Sequence, residues 1–148
     1  MFFGKYNTKR LEVSETEEVM LILRQESLRF CDGEYPKIKR IKTLIENKDS
    51  LCFGYYQHGL LIGVALSEKL LDGGCLLWYF AMDPREQKKG KGRKFLSDLE
   101  YELRVNGVSW IFLNATANSL SFYAYSDYET SMHSSVYEHY KSLWNIVI

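Results

Sequence analysis

The residues that most often build metal or redox sites are scarce in this chain. It has three dispersed histidines and three cysteines, Cys31, Cys52 and Cys75, an odd number with no Cys-x-x-Cys spacing. This set predicts neither a disulfide framework nor a metal centre. Cys52 and Cys75 lie in apolar runs, which is typical of thiols that pack in a core. A reduced, cytoplasmic setting is the simplest interpretation.

Charge of one sign and long apolar stretches are also missing. Nineteen Lys and Arg residues balance nineteen Asp and Glu residues, so the chain has no general attraction to nucleic acid or anionic membranes. The apolar runs near 60–66 and 75–82 are far shorter than the roughly 20 residues that cross a bilayer. The first residues lack the apolar core of a secretory signal. Neither a nucleic-acid partner nor a membrane partner is predicted, and any preference for anions must be local.

The hydrophobic content is sufficient for one core. With 148 residues, 46% of them hydrophobic, and no shift in composition that would mark a linker, the chain predicts a single domain spanning residues 1–148. Hydrophobic periodicity and turn residues predict the element order β, α, α, β, β, β, α, β, α, β, β. The predicted bounds are strand 10–13, helix 15–30, a helix from Pro36 to about 47, strands 51–57, 60–67 and 75–82, helix 93–106, strand 108–113, helix 119–125 and strands within 132–148.

Local signals support these elements. Ser14 and Glu17 have capping-box spacing at the start of the first helix. A His58-Gly59 turn predicts a hairpin, and the three strands around it predict an antiparallel meander. Glu100 and Arg104 are spaced for an i,i+4 pair on the third helix. Because that helix lies between two strands, it predicts a crossover to a parallel neighbour.

One basic, glycine-rich segment is a candidate phosphate site. Gln87-Lys88-Lys89-Gly90-Lys91-Gly92 lies between an apolar strand and a helix. Glycines let the backbone approach a ligand, and the first N–H groups of the helix point toward an anion. Five of the seven residues from 88 to 94 are basic. A solvated basic turn would have the same composition, so the pattern alone leaves both interpretations open.

The form of this segment narrows the choice of phosphate motif. A Walker A loop requires Gly-Lys followed by Ser or Thr, and a dinucleotide loop requires a third glycine where Phe95 stands. Gln-x-x-Gly-x-Gly after a strand resembles instead the acetyl-CoA loop of the GNAT superfamily of N-acetyltransferases. The element order is similar to that family too, and the stretch 122–128 resembles the family's hydrophobic-Tyr-x-x-x-Gly-Phe ending.

The resemblance implies a fold and a cofactor. The implied fold is α/β (α+β), with a mixed, mostly antiparallel central sheet flanked by helices and a splayed parallel strand pair at the acyl-CoA site. The implied acyl donor is acetyl-CoA, with its pyrophosphate on the loop and its pantetheine arm along the preceding strand. The implied contacts are Gln87, Lys88, Lys89, Gly90, Lys91, Gly92 and Arg93 for the pyrophosphate and Phe80, Ala81 and Met82 for the arm. Asn118 is the candidate for the family's CoA-contacting asparagine, although neither it nor Asn114 has the commonest spacing from Tyr123.

Catalytic roles are implied less completely. By resemblance, Tyr123 is the general acid for the leaving thiolate, because a phenol with a pKa of about 10 donates a hydrogen bond while neutral. Tyr125 and Tyr128 are interpreted as packing residues. The strand 75–80 lacks the glutamate base that many members carry, which leaves a water relay, Glu138 or His139 as alternatives.

The acceptor is the part on which the sequence says least. An amine acceptor is implied, either a small molecule or a protein, and a homodimer is left open. Asp32, Glu34 and Tyr35 in a connecting loop would suit a cationic amine, and a solvated loop would look the same.

The sequence therefore predicts an acetyl-CoA-dependent N-acetyltransferase that passes acetyl directly to a primary amine. The alternative is a catalytically degenerate acyl-CoA-binding sensor or scaffold, suggested by Asp127 in place of the motif glycine and by the missing strand carboxylate. A nucleic-acid-binding domain built on the basic turn is disfavoured by the zero net charge.

Overall fold

The computed structural model describes residues 5–24, 36–87, 90–115, 120–133 and 136–147. Within them the chain forms seven strands, four α-helices and two short 3-10 turns, at Val13–Glu15 and Pro84–Glu86. The element order agrees with the predicted order. The bounds are β1 (Tyr6–Arg10), α1 (Thr16–Leu23), α2 (Ile38–Glu46), β2 (Ser50–Gln57), β3 (Leu60–Lys69), β4 (Gly74–Met82), α3 (Lys91–Val105), β5 (Trp110–Ala115), α4 (Leu120–Tyr125), β6 (Glu129–His133) and β7 (Val136–Ser142).

The strands form one seven-stranded sheet in the order β1-β2-β3-β4-β5-β7-β6. In this sheet β4 and β5 are parallel, and every other neighbouring pair is antiparallel. Helix α3 makes the crossover between the parallel strands, as such a pair requires. The predicted fold, a mixed and mostly antiparallel sheet flanked by helices, is confirmed.

Two layers of apolar side chains cover the two faces of this sheet. Helix α3 contributes Phe95, Leu96, Leu99 and Leu103 to the larger cluster, which fills one face from β2 to β5. Helices α1 and α2 pack on the opposite face against β2, β3 and β4. The α1/α2 face of β5, β7 and β6 therefore lies beyond the strands on which those helices pack.

The hairpin between β2 and β3 follows its turn residues. His58 and Gly59 have φ angles of 51° and 80°, and two positive φ values in a two-residue turn match the right-handed twist of the flanking strands. The predicted hairpin is confirmed.

The first segment differs from its prediction. The first strand ends at Arg10, so the predicted strand 10–13 is wrong. Residues 13–15 form a 3-10 turn in which the backbone N–H of Glu12 donates to the Glu15 carboxylate at 3.0 Å. This local bond replaces the predicted Ser14–Glu17 capping box. The first helix ends at Leu23 rather than near residue 30, and the predicted residues 25–30 lie outside the described ones.

Other boundaries shift less. Strand β5 begins at Trp110 rather than residue 108, because the N–H groups of Val108 and Ser109 donate to the carbonyls of Leu103 and Gly73. Strand β6 begins at Glu129, before the predicted start at 132. Among the described residues, no helix is both long enough and apolar enough to cross a membrane.

Candidate active site

A gap in the sheet lies between its two parallel strands. The strands β4 and β5 pair only from Gly74 with Trp110 to Leu77 with Leu113. Strand β4 continues to Met82 with β3 as its partner, after a bulge at the level of Trp78. Past Leu77 and Leu113 the two parallel strands run on without pairing to each other, which leaves a slot between them.

The glycine-rich segment leads from this slot into α3. Gly90 has a φ of 76° and is the N-cap of the helix, whose first hydrogen bond runs from the Lys94 N–H to the Gly90 carbonyl. The side-chain amide of Gln87 donates to the Met82 carbonyl at 3.2 Å and holds the segment against the end of β4. The first N–H groups of a helix have no partner within it. Those of α3 begin one short loop after β4, as the sequence predicts for an anion site, whereas Lys88 and Lys89 lie outside the described residues.

The basic side chains of this segment have different surroundings. The Lys91 ammonium donates to Glu86 Oε2 at 2.8 Å and to Gln57 Oε1 at 3.1 Å, and the bond to Glu86 raises the pKa of Lys91. The positive charge of Lys91 is therefore engaged within the fold. Arg93 is exposed, with its guanidinium 5.8 Å from the ring centre of Tyr125. Arg93 is the better placed of the two to meet a phosphate.

Aromatic side chains line the α3 side of the slot. The Phe80 ring stacks on Phe95 at 5.1 Å and contacts Phe122 at 5.8 Å. A Cβ on Gly92 would lie 3.4 Å from the Phe122 ring and 3.6 Å from Met82 Cγ. Phe80 and Met82 belong to the α3-side cluster, whereas Ala81 packs in the α1/α2 cluster. The three predicted arm residues thus alternate between the two faces, as strand geometry requires.

Tyr123 lies on the same side of the sheet. Its side chain is 7% exposed, and its ring is 5.0 Å from Phe122, 5.6 Å from Tyr128 and 5.4 Å from His139. His139 is 1% exposed and pairs in β7 with Leu113, the last β5 residue bonded to β4. The structure therefore brings Tyr123, the predicted acid, beside His139, one of the predicted alternatives for the base. The Glu138 side chain and Asn118 lie outside what the structure describes.

A groove of about 410 Å³ adjoins the start of α3. Its lining combines exposed cations, hydroxyl groups and one aromatic ring, contributed by Gly90, Arg93, Lys94, Leu96, Ser97, Glu100, Tyr125, Ser126, Asp127 and Lys141. Tyr125 is 73% exposed, so its interpretation as a packing residue is wrong. The spacing of Arg93 and Ser97 on one helical face is a sequence signal for part of this groove.

A buried ionic network forms the floor of the groove. Glu100 accepts hydrogen bonds from the Tyr128 hydroxyl at 2.8 Å and from the Lys141 ammonium at 2.9 Å, and the same ammonium donates to the Ser126 carbonyl at 2.9 Å. The predicted Glu100–Arg104 pair is therefore wrong. Arg104 instead lies over the Trp144 ring, 4.7 Å from its centre. Through these bonds Glu100 links α3 to β7 and to Tyr128, the last residue of the stretch 122–128.

The ionisation of Glu100 is predicted to make stability fall as pH rises. Burial raises the pKa of Glu100 above its unfolded value of about 4.3. From that pH up through the folded-state pKa, the folded protein holds more protons than the unfolded chain, so the free energy of unfolding decreases. Urea unfolding of Glu100→Gln should show a weaker decrease over this window. Glu102→Gln controls for removing one carboxylate from the same helix, and parallel curves for wild type and Glu100→Gln would contradict the assignment.

Cys52 and Cys75 are core residues, as predicted, and Cys31 lies outside the described residues. Burial raises the pKa of Cys52 to about 11 and that of Cys75 to about 12. Both thiols are free and buried, which does not suit a nucleophile. Within the described ranges, no group of His, Cys, Asp and Glu side chains is arranged to hold a metal ion.

Comparison with known proteins agrees with this geometry. The model of the acetyltransferase (GNAT) domain family matches residues 23–143. The chain therefore belongs to this family, and the resemblance to a GNAT superfamily N-acetyltransferase is confirmed. A search of curated protein sequences finds no significant match.

Solved structures share the fold over nearly the whole chain. The ribosomal-protein-S18-alanine N-acetyltransferase from Escherichia coli is 18% identical, with 97% of this chain and 99% of that one covered and a TM-score of 0.78. Ard1 from Thermoplasma volcanium is 18% identical, with 93% and 97% covered and a TM-score of 0.77. PaiA N-acetyltransferase from Thermoplasma acidophilum, solved with coenzyme A, is 17% identical, with 93% and 98% covered and a TM-score of 0.72.

Proposed function

We propose that this chain transfers an acetyl group from acetyl-CoA directly to the primary amine of an acceptor. The observation that carries the proposal is the position of the α3 N-terminus, which follows β4 where the pairing of β4 with β5 has ended. An anion on the helix start and an extended arm in the slot would then belong to one molecule. The coenzyme A bound to the relative from Thermoplasma acidophilum supports this donor.

The donor contacts that we propose begin at the loop. Backbone groups of Gln87 and of residues 90–93 hold the pyrophosphate, with Lys88 and Lys89 as further contacts. Phe80, Ala81 and Met82 flank the arm. The groove beside Arg93 takes the nucleotide end, because its cations and the exposed Tyr125 ring offer charge and a stacking surface. Asn118 remains a proposed contact.

The chemistry requires a neutral amine and a protonated leaving group. Deprotonating a lysine-like amine costs about 4 to 5 kcal/mol at pH 7, so water or a base such as His139 takes that proton. The amine nitrogen forms a bond to the acetyl carbon, and the carbon–sulfur bond breaks. Tyr123 gives its phenolic proton to the departing thiolate and regains one through solvent.

Calorimetric titration with acetyl-CoA, with ATP and NAD as controls, tests the donor. A thiol-release assay over a panel of amines then tests turnover. Selective acetyl-CoA binding with release of CoA is expected, and absence of binding would overturn the proposal.

A matched pair of variants tests the loop. Gly90 and Gly107, before and after α3, both have positive φ, 76° and 86°, and a Cβ at either would meet nothing within 4 Å. Alanine at either position should cost about 1 to 2 kcal/mol in stability. Only Gly90→Ala should also weaken acetyl-CoA binding, by about tenfold. Equal affinities in the two variants would place the donor elsewhere.

The second candidate is a sensor or scaffold that binds acyl-CoA without turning it over. One observation favours it: β4, from Gly74 to Met82, carries no carboxylate that could act as a base. Tight acetyl-CoA binding without thiol release on any amine would support this candidate over the transferase.

A further inference from the structure

One row of cross-strand neighbours on the face of the sheet opposite α3 runs from β3 to β6. Direct pairing joins Glu68 of β3 to Leu76 of β4, Leu76 to Phe112 of β5, Phe112 to Tyr140 of β7, and Tyr140 to Glu129 of β6. Residues paired in this way project from the same face. The neighbours of Phe112, Ile111 and Leu113, are buried on the α3 side. We call this set the aromatic row.

Phe112 and Glu129 of the aromatic row are exposed, and its other three members are partly exposed. Phe112 and Trp110 are stacked at 6.5 Å, and both are more than a third exposed. The Phe112 ring lies over Gly74, where a Cβ would come within 3.0 Å of it. Because α1 and α2 pack on β2 to β4, the part of the row on β5, β7 and β6 lies beyond the strands that they contact, whereas Glu68 and Leu76 lie on β3 and β4. Exposed aromatic rings that lie together in this way are a candidate binding surface.

Along the strands, the row also lies next to the slot. The pair Leu76–Phe112 precedes Leu77–Leu113, where the pairing of β4 with β5 ends. On the α3 side the slot is filled by core residues and, under the proposed function, by the arm of the donor. An acceptor must therefore reach the acetyl group from the face that carries the aromatic row.

The charges on this face are suited to a cation. The first and last members of the row, Glu68 on β3 and Glu129 on the edge strand β6, are carboxylates. The Trp78 indole N–H donates to Glu68 Oε1 at 2.7 Å, which fixes the carboxylate beside the slot. The Arg40 guanidinium lies 4.7 Å from the Trp78 ring centre, so this ring already binds a cation from its own chain.

We propose that the acceptor is an aliphatic amine with a second positive charge, which binds at Glu68 and Trp78 while the reacting amine enters the slot. This inference rests on the proposed function. The slot is about one and a half strand spacings of ~4.8 Å from β3, or roughly 7 Å. A five-carbon diamine spans a similar length.

Three amines of equal chain length test the inference: 1,5-diaminopentane, 1-aminopentane and 5-aminopentanoate. Their distal groups are an ammonium, a methyl and a carboxylate. The diamine should be acetylated with a kcat/KM at least about tenfold above the other two. Glu68→Gln should reduce the ratio of kcat/KM for the diamine to kcat/KM for either other amine to about one or two. Glu102→Gln on α3 should leave this ratio unchanged. Arg40→Gln should lower the KM for the diamine, because it removes a competing cation.

The opposite outcomes are equally distinct. Equal kcat/KM values for the monoamine and the diamine would overturn the charge assignment. So would a preference for 5-aminopentanoate that disappears in Arg40→Gln. Either result would leave the proposed transferase activity standing. Tryptophan fluorescence titration with the diamine decides the question even if acetyl-CoA does not bind: affinity that falls in Glu68→Gln supports the site, and unchanged affinity overturns it. A dimer in sedimentation analysis that Phe112→Ser dissociates would assign the face to a second copy of the chain instead.

Discussion

Replacing Tyr123 with phenylalanine is expected to lower kcat by about 100-fold or more, while the dissociation constant for acetyl-CoA changes by less than about twofold. The ring is retained, so its contacts with Phe122, Tyr128 and His139 persist. Only the proton donor for the thiolate is lost, and that group acts in the transition state rather than in donor binding. Thiol-release kinetics give kcat, and calorimetry gives the dissociation constant.

Tyr128→Phe is the matched control for this prediction. Tyr128 is also a buried tyrosine, and its hydroxyl donates to Glu100. Removing that hydroxyl should lower the free energy of unfolding by about 2 kcal/mol and leave kcat within about threefold, since the hydroxyl is committed to Glu100. Full activity in Tyr123→Phe would assign the acid to another group.

A glutamate at Gly92 is expected to weaken acetyl-CoA binding by about 100-fold or more. A Cβ at this position already contacts Phe122 and Met82, so the longer side chain extends into the wall of the slot. Its carboxylate would also repel the proposed pyrophosphate at close range. An acidic residue in the first turn of a helix is favourable for the helix itself, so the fold should survive. Calorimetry measures the affinity, and thermal unfolding checks the fold.

Gly92→Ala separates bulk from charge. Its Cβ makes ordinary van der Waals contacts at 3.4 Å and beyond, and it adds no charge, so the affinity should fall less than tenfold. Wild-type affinity in Gly92→Glu would mean that the pyrophosphate does not lie on this loop.

The sequence predicts well those parts of the site that depend on residues close together along the chain. The glycine-rich segment, the start of α3 and the His58-Gly59 turn follow from backbone preferences that act over a few positions. The order strand, loop, helix then places the helix N-terminus near the end of β4. Short-range sequence patterns are therefore sufficient to locate the candidate phosphate site.

The network around Glu100 could not be predicted in the same way. The local i,i+4 rule selected Arg104, but the partner is Lys141, which is 41 residues away. A surface pair of that local kind stabilises a helix by only about 0.3 to 0.5 kcal/mol. A buried carboxylate without a partner is far more costly, so the packing of β7 against α3 decides which cation binds Glu100. Hydrophobic periodicity in the sequence does not predict how β7 packs against α3.

The departures from the family motif also have a structural explanation. Asp127 stands where the motif has glycine, and its φ of 67° lies in the left-handed region, which aspartate adopts more readily than most residues. Tyr128 stands where the motif has phenylalanine, and its hydroxyl satisfies Glu100. The backbone at residue 127 therefore has a conformation that glycine favours, so Asp127 is weaker support for a degenerate protein than the sequence suggests.

The short pairing between β4 and β5 divides the sheet into two leaves. Four residue pairs join them directly, whereas β2 and β3 pair along nearly their full lengths. Helix α3 contacts β1, β2 and β3 and binds β7 through Glu100, so it spans both leaves. Regions with few direct contacts open locally at a lower free energy than the core, so a donor bound between the leaves would hold them together. Binding of the donor between β4 and β5 would then also stabilise the sheet against local opening at this position.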